Sequence, residues 1–152
     1  VKDFLKGIKY RVFPVGRLDY DSEGLLLMTN DGDLAHSVLH PSKKVSKTYV
    51  VKAKGVIDEG ALEKLRRGIK LEDGLTAHAK AKKVRQAKNN TWIEITIYEG
   101  RKRQVRRMLE KVGYPVIKLR RTGIDGLRLG DLKPGEIRRL TVEEIKRLKE
   151  LT

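Results

Sequence analysis

The chain has 152 residues, 39% of them hydrophobic, and 35 Lys and Arg against 20 Asp and Glu give it a net charge of +15. That length suits one domain, or one with a small appendage, and the apolar share can fill a core, which excludes a disordered chain. The lack of cysteine excludes disulfides, thiolate nucleophiles and cysteine-ligated zinc; no apolar run is long enough to span a membrane, and the one-sided charge favours a polyanion, nucleic acid ahead of a membrane surface.

Residues 1–11 are basic and mixed, and they read as a linker or as the tail of an upstream domain. Val1 is not a start methionine, so an upstream segment is expected. Residues 12–152 form the remaining unit. Val12–Val15 reads as a strand, and Leu25–Thr29 as another. Between them lies a polar loop with two glycines, Arg17 and the acids Asp19, Asp21 and Glu23. Taken alone, that loop is a solvated turn. A helix is expected from about Asp33 to Leu39, ended by His40-Pro41. Ser46–Ala53 is β-branched and alternating, hence a strand.

Asp58-Glu59 opens a second helix with acids at its positive end, and Ala61, Leu62, Leu65 and Ile69 form its apolar stripe. Ile69–Leu71 reads as a short strand, and Ala77–Val84 as a strand with one cationic face. Asn89-Asn90 marks a hairpin turn before the clean alternation of Thr91–Tyr98. Val105, Met108, Leu109 and Val112 then fall on one helical face, with Arg103, Arg106 and Arg107 near the helix start. Cations there oppose the macrodipole, so an anion is expected to bind them. Tyr114–Leu119 reads as a strand, Ile124–Leu132 as a hairpin and Glu136–Leu140 as a last strand. Thr141 to Glu144 opens a final helix with a capping box.

The order of elements predicts an α+β fold: a mixed, mostly antiparallel sheet with helices packed against it. No alternating strand–helix repeat and no phosphate-loop glycine motif occur, so ATP and NAD are not expected. His36 and His40 are spaced as half a zinc site, but no H-E-x-x-H pattern surrounds them, so no metal is expected.

Three stretches in this order resemble pseudouridine synthases, specifically the RsuA-type branch that modifies ribosomal RNA and includes the RluB-like enzymes. They are Gly16-Arg17-Leu18-Asp19 with Gly24-Leu25-Leu26, Lys47-Thr48-Tyr49, and Glu99-Gly100 with Gln104-Val105-Arg106-Arg107-Met108. The resemblance runs from about Phe13 to Thr141. It implies the pseudouridine synthase catalytic fold and the cofactor-free isomerisation of a uridine, with the N1–C1′ bond exchanged for C5–C1′. It implies that Asp19 is the catalytic aspartate, paired with Arg106. Tyr49 matches the tyrosine that stacks on the target base, and Val105 an apolar position packed against it. The flipped-out base leaves a gap that Arg17 is placed to fill. Lys47, Lys80, Lys82, Lys83, Arg101, Lys102, Arg103, Arg107, Arg120 and Arg121 are candidate RNA or phosphate contacts. The wording leans toward the large-subunit enzymes, with ribosomal RNA as partner, no membrane, a monomer and a cytoplasmic location.

Two other classes compete. A non-catalytic RNA-binding or ribosome-assembly module needs only the charge. A metal-dependent phosphodiesterase would use Asp19, Asp21 and Glu23, but these acids lack further ligands at metal spacing.

Overall fold

The computed structural model of the chain describes residues 5–152. Its strands are β1 (Phe13–Pro14), β2 (Glu23–Gly24), β3 (Met28–Thr29), β4 (Lys47–Lys54), β5 (Lys70–Leu71), β6 (Gly74–Leu75), β7 (Lys80–Gln86), β8 (Asn90–Ile97), β9 (Val116–Ile124) and β10 (Leu127–Arg128). The α-helices are α1 (Gly32–Leu39), α2 (Glu59–Arg67), α3 (Gln104–Lys111) and α4 (Val142–Lys149). This is the expected α+β architecture. Strands run in the order β10-β9-β4-β8-β7, with β2 added parallel to β9, to make a six-stranded sheet.

The alternation of β8 decides which face is covered. Thr91, Ile93, Ile95 and Ile97 are buried, and the residues between them are half-buried. Val51 and Ala53 of β4 and Leu119 of β9 share that face. Ala61, Leu62 and Leu65 of α2 and Val105, Met108 and Leu109 of α3 close over it. A second cluster gathers Val15, Leu27, Leu34, Ala35 and Val38 with Val45, Ile124, Leu127 and Leu148 of α4. On the opposite sheet face Trp92 lies between two cations, Arg85 at 4.5 Å and Lys52 at 5.4 Å from its ring centre.

The helices start where side chains satisfy their free N–H groups. Asp31 accepts from Leu34 N–H, and Asp58 from Ala61 N–H. Thr141 and Glu144 form the reciprocal capping box predicted for α4.

Several boundaries differ from the sequence-based expectation. The apolar run after the loop is divided: only Met28 and Thr29 pair with β1, while Leu25 N–H donates to the Arg121 carbonyl on β9. The strand at Tyr114–Leu119 becomes β9 and continues through Arg120 and Arg121, because β2 and β4 pair with both residues. The hairpin at Ile124–Leu132 tightens to Asp125-Gly126, both at positive φ, as a two-residue turn requires. The strand expected at Glu136–Leu140 does not form. That segment is largely exposed, and Arg138 turns to Glu144 of α4 instead of to a sheet. Residues 5–11 hold turns and a bend, while the first four residues of the predicted linker lie outside the described residues. Among the described residues no helix is long and apolar enough to cross a membrane.

Candidate functional site

The loop from Val15 to Leu27 is tied at three places. Val15 N–H donates to the Leu27 carbonyl at 2.8 Å and closes its base. Ser22 N–H donates to the Asp19 carbonyl at 2.9 Å and turns its tip. Its return limb is clamped to β9 by Leu25 N–H to the Arg121 carbonyl at 2.8 Å and Arg121 Nε to the Leu25 carbonyl at 2.9 Å. Gly24 makes this approach possible: its φ is +117°, and a Cβ there would overlap the Arg121 backbone.

This loop, the start of β4 and the segment after β8 surround one cavity of about 350 Å³. That lies within the usual range for small-molecule sites, about 300–1,000 Å³. Its walls include Arg17, Asp19, Lys47, Tyr49, Arg101, Arg103 and Val105, so residues from all three sequence motifs share it. Lys47 and Tyr49 alternate with Thr48 and point to the covered sheet face, beside Ile97 and Ile95. Val105 is buried in the cluster against which Tyr49 packs. Arg17 is exposed on the cavity wall, and the Asp19 side chain is 41% exposed.

Electrostatics at the loop differ from expectation. Asp19 and Arg106 form no ion pair. Arg106 turns to Asp21, with Nε 3.4 Å from Oδ1 and Nη2 donating to the Asp21 carbonyl. Arg103 grips the same carboxylate with both terminal nitrogens, at 3.0 and 2.8 Å. Among the described residues the Asp19 carboxylate has only Arg103 Nη1, at 4.0 Å. The hydrogen bond from Arg103, reinforced by the Arg106 charge, holds the Asp21 carboxyl below its ordinary range. Arg107 binds Asp73 at 2.9 and 3.1 Å and lowers its pKa in the same way. The anions that accommodate cations at the start of α3 are therefore the chain's own.

Arg101 is hydrogen-bonded within the chain. Its Nε donates to Glu99 at 2.9 Å, and its terminal nitrogens donate to the Gly74 and Leu75 carbonyls at 3.1 and 2.7 Å. Buried Gln104 accepts from Arg101 N–H and donates to Glu99, which also accepts from Ala77 N–H. These polar groups staple the β8–α3 loop to β6 and the segment after it.

Other candidate phosphate contacts also have different surroundings. Arg121 is 5% exposed and inside the protein, not on its surface. Arg120 is held by Glu23 at 3.0 Å. Lys80 and Lys82 pair with Thr96 and Glu94, which places them on the sheet face away from the cavity. Lys83 donates to Gln86. Lys102 is exposed on the cavity wall. Burial, then the charge of Arg121, pushes the Lys47 ammonium below its ordinary range.

Asp21, in sequence one acid of a solvated turn, is the anchor for two arginines of the α3 segment. Leu39, His40, Pro41 and Lys44 also line the cavity without having been singled out as site residues. The only advance signal for Asp21 was the uncompensated arginine cluster at Arg103 and Arg106. His36 and His40 have rings 5.3 Å apart, and among the described residues no group of three His, Asp or Glu side chains could hold a metal ion.

A family model described as RNA pseudouridylate synthase matches residues 3–111. The chain is 51% identical over 153 residues to ribosomal large subunit pseudouridine synthase B of Bacillus subtilis (strain 168), covering 99% of this chain and 63% of that protein. It is 44% identical over 148 residues to an uncharacterised RNA pseudouridine synthase of Aquifex aeolicus (strain VF5), covering 97% of this chain and 59% of the other. A crystal structure of a pseudouridylate synthase superposes with a TM-score of 0.81 at 35% identity, over 90% of this chain and 59% of that one. The chain thus spans about six tenths of the length of these relatives. Its fold agrees with that of the solved synthase, and by the family match over most of its length the chain belongs to the RNA pseudouridylate synthase family.

Proposed function

We propose that the chain isomerises a uridine of ribosomal RNA to pseudouridine, with the Asp19 carboxylate as the reacting group and no cofactor. The supporting observation is the state of that carboxylate. Of the two acids lining the cavity, Glu99 is tied to Ala77, Arg101 and Gln104. Asp19 accepts no side-chain hydrogen bond among the described residues and stands open at the loop tip. A carboxylate without a partner can add to a substrate carbon or take a proton; one committed to three donors cannot do either cheaply.

The uracil must detach, turn and reattach through C5, so the nucleotide has to enter the cavity out of its stack. Tyr49 offers the ring on which that base rests, with Val105 behind it. Arg17 is placed to occupy the vacated position. Arg103 and Arg106 act through Asp21, which fixes the loop and thereby Asp19. Ribosomal RNA enters by relation: the Bacillus subtilis protein is named for the large ribosomal subunit, and we extend that substrate to this chain. Exposed Lys102 at the rim supplies a phosphate contact. We place the protein in the cytoplasm as a monomer that needs no metal.

Tritium release from ribosomal RNA carrying 5-tritiated uridine, in the presence of chelator, tests this. The unaltered protein should release tritium, and Asp19→Ala should release none while binding RNA with unchanged affinity. Turnover by Asp19→Ala would refute the assignment, and RNA binding without any release by the unaltered protein would favour the non-catalytic module.

A further inference from the structure

Lys47 and Arg121 put two positive charges in the cavity wall, and among the described residues no carboxylate is paired to either. Both occupy the sheet face of Tyr49: Lys47 precedes it by two residues on β4, and Arg121 is its partner on β9. Arg121 is 5% exposed; its Nε donates to the Leu25 carbonyl, and its Nη2 is buried with no hydrogen-bond partner among the described residues. Lys47 makes no ion pair and no side-chain hydrogen bond among the described residues, although it is half-buried. A Cβ on Gly100 would stand 3.0 Å from Lys47 Nζ, so the β8–α3 loop carries a glycine where the ammonium needs room. The two acids of the wall do not compensate. Glu99 is bound elsewhere, and Asp19 lies beyond ion-pair distance of both cations.

Like charges enclosed together repel, and a buried donor without an acceptor forfeits a hydrogen bond. Lost stability of this kind clusters where function needs it. An anion entering the cavity would remove both penalties at once.

We propose that Lys47 is a catalytic cation that receives the uracil ring as an anion, with Arg121 as a fixed positive charge behind it. This rests on the isomerase function proposed above. When the N1–C1′ bond breaks, its electron pair stays on the uracil, and the negative charge spreads over N1 and the ring carbonyl oxygens. The Lys47 ammonium donates to one of those oxygens. The Asp19 carboxylate bonds to C1′ as the uracil leaves; C5 of the turned ring then displaces that carboxylate and bonds to C1′, the C5 proton passes to a base and N1 takes up a proton, so the sum is an isomerisation. A cation that meets charge only as it develops lowers the barrier without tightening substrate binding.

The test compares the unaltered protein, Lys47→Met and Lys47→Arg on ribosomal RNA transcripts made with uridine or with 5-fluorouridine, whose ring leaves more readily as an anion. Single-turnover conversion of the N-glycoside is followed by mass spectrometry of nuclease digests. Lys47→Met should lose about 100-fold on uridine, the scale of removing one oxyanion donor. Its loss on 5-fluorouridine should be under about tenfold, because less stabilisation is required of the cation. RNA affinity should stay unchanged, Lys47→Arg should recover most of the uridine rate, and Lys47→Met should melt no lower than the unaltered protein. Equal losses on both substrates overturn the proposal, as does a matching loss of RNA affinity, which would make Lys47 a phosphate contact. A marked fall in melting temperature would make it a structural group and also overturns it. If the unaltered protein converts neither RNA, the isomerase function itself fails; if it converts uridine and Lys47→Met does so equally well, only this inference fails.

Discussion

Arg106 and Asp21 are joined twice, through the carboxylate at 3.4 Å and through the backbone carbonyl. Arg103 adds a two-pronged grip on the same carboxylate. One acid thus accepts two guanidinium groups from the α3 segment and locks the loop tip against it. The side chain of the acid two residues earlier, Asp19, accepts no hydrogen bond among the described residues and stands on the cavity side. A loop that spends one carboxylate on structure keeps the other free for chemistry.

Asp21→Asn should therefore damage turnover without touching substrate. It removes the charge that holds Arg103 and Arg106, and the freed guanidinium groups can close on Asp19. A displacement of about 1 Å at a reacting group costs on the order of 100-fold in rate. RNA affinity should stay level or rise, since two cations are released. Tritium-release rates and filter-binding affinities for Asp21→Asn beside Asp19→Ala check this; unchanged turnover in Asp21→Asn would mean that the loop holds its shape without the pair.

Local patterns were legible where local physics decides. The alternation of Ile93, Ile95 and Ile97 foretold a half-covered strand, and Thr141 with Glu144 foretold a helix start. What could not be read was set by partners far along the chain. Arg120 and Arg121 look like the charged end of a strand, and distant partners, Tyr49 and Val50 on β4 with Glu23 and Gly24 on β2, make them its middle. Arg17, Asp19, Lys47, Tyr49, Arg101, Arg103 and Val105 line one cavity, whereas Arg106 pairs with Asp21 and not with Asp19. Nothing near Asp19 or Asp21 tells which of the two meets Arg106, because a shift of one or two residues in a turn exchanges them.

Gly24→Ala should be among the most damaging single-methyl changes in the chain. Its φ of +117° strains any L side chain, and the new methyl would overlap the Arg121 carbonyl. Strain and overpacking together cost about 3 kcal/mol. Gly113→Ala is the control, since Gly113 has a φ of +95° but nothing within 4 Å of a new Cβ. Strain alone predicts about 1 kcal/mol there. Urea unfolding with an unchanged m-value separates the two, and equal losses would show that β2 does not depend on the close approach.

Arg101→Ala and Lys102→Ala should separate structure from binding at adjacent positions. Arg101 holds two carbonyls and Glu99, so its removal should cost about 1–3 kcal/mol of stability by leaving both carbonyls without that donor and a half-buried acid without its counter-charge. It should leave the salt dependence of RNA affinity unchanged. Lys102→Ala should do the opposite, with the slope of log affinity against log salt falling by about 0.7 for one lost phosphate contact. A shallower slope in Arg101→Ala would place that guanidinium on the RNA after all.

Acid should loosen α4 through Glu144. The hydrogen bond from Arg138, then the Thr141 backbone N–H, holds the Glu144 carboxyl at about 2, below the ordinary 4.5. A depressed carboxyl contributes stability in full above the unfolded pKa and loses it as pH falls through the folded one. The window is therefore roughly pH 4.5 down to 2. Lowered Asp21 and Asp73 titrate in the same direction, so the whole protein weakens in acid, and a variant is needed to isolate the helix cap. Glu144→Gln can keep an acceptor at Thr141 but loses the charge facing Arg138, and should cost about 1 kcal/mol at pH 7. The difference in melting temperature between the two proteins should shrink below pH 4.5 and vanish near pH 2, where Glu144 itself becomes neutral. The effect should reach the site, because Leu148 of α4 is buried with Val15, Val38, Val45 and Ile124, which also line the cavity. A difference that stays constant across this pH range would mean that the glutamine fails for its shape and not for its charge.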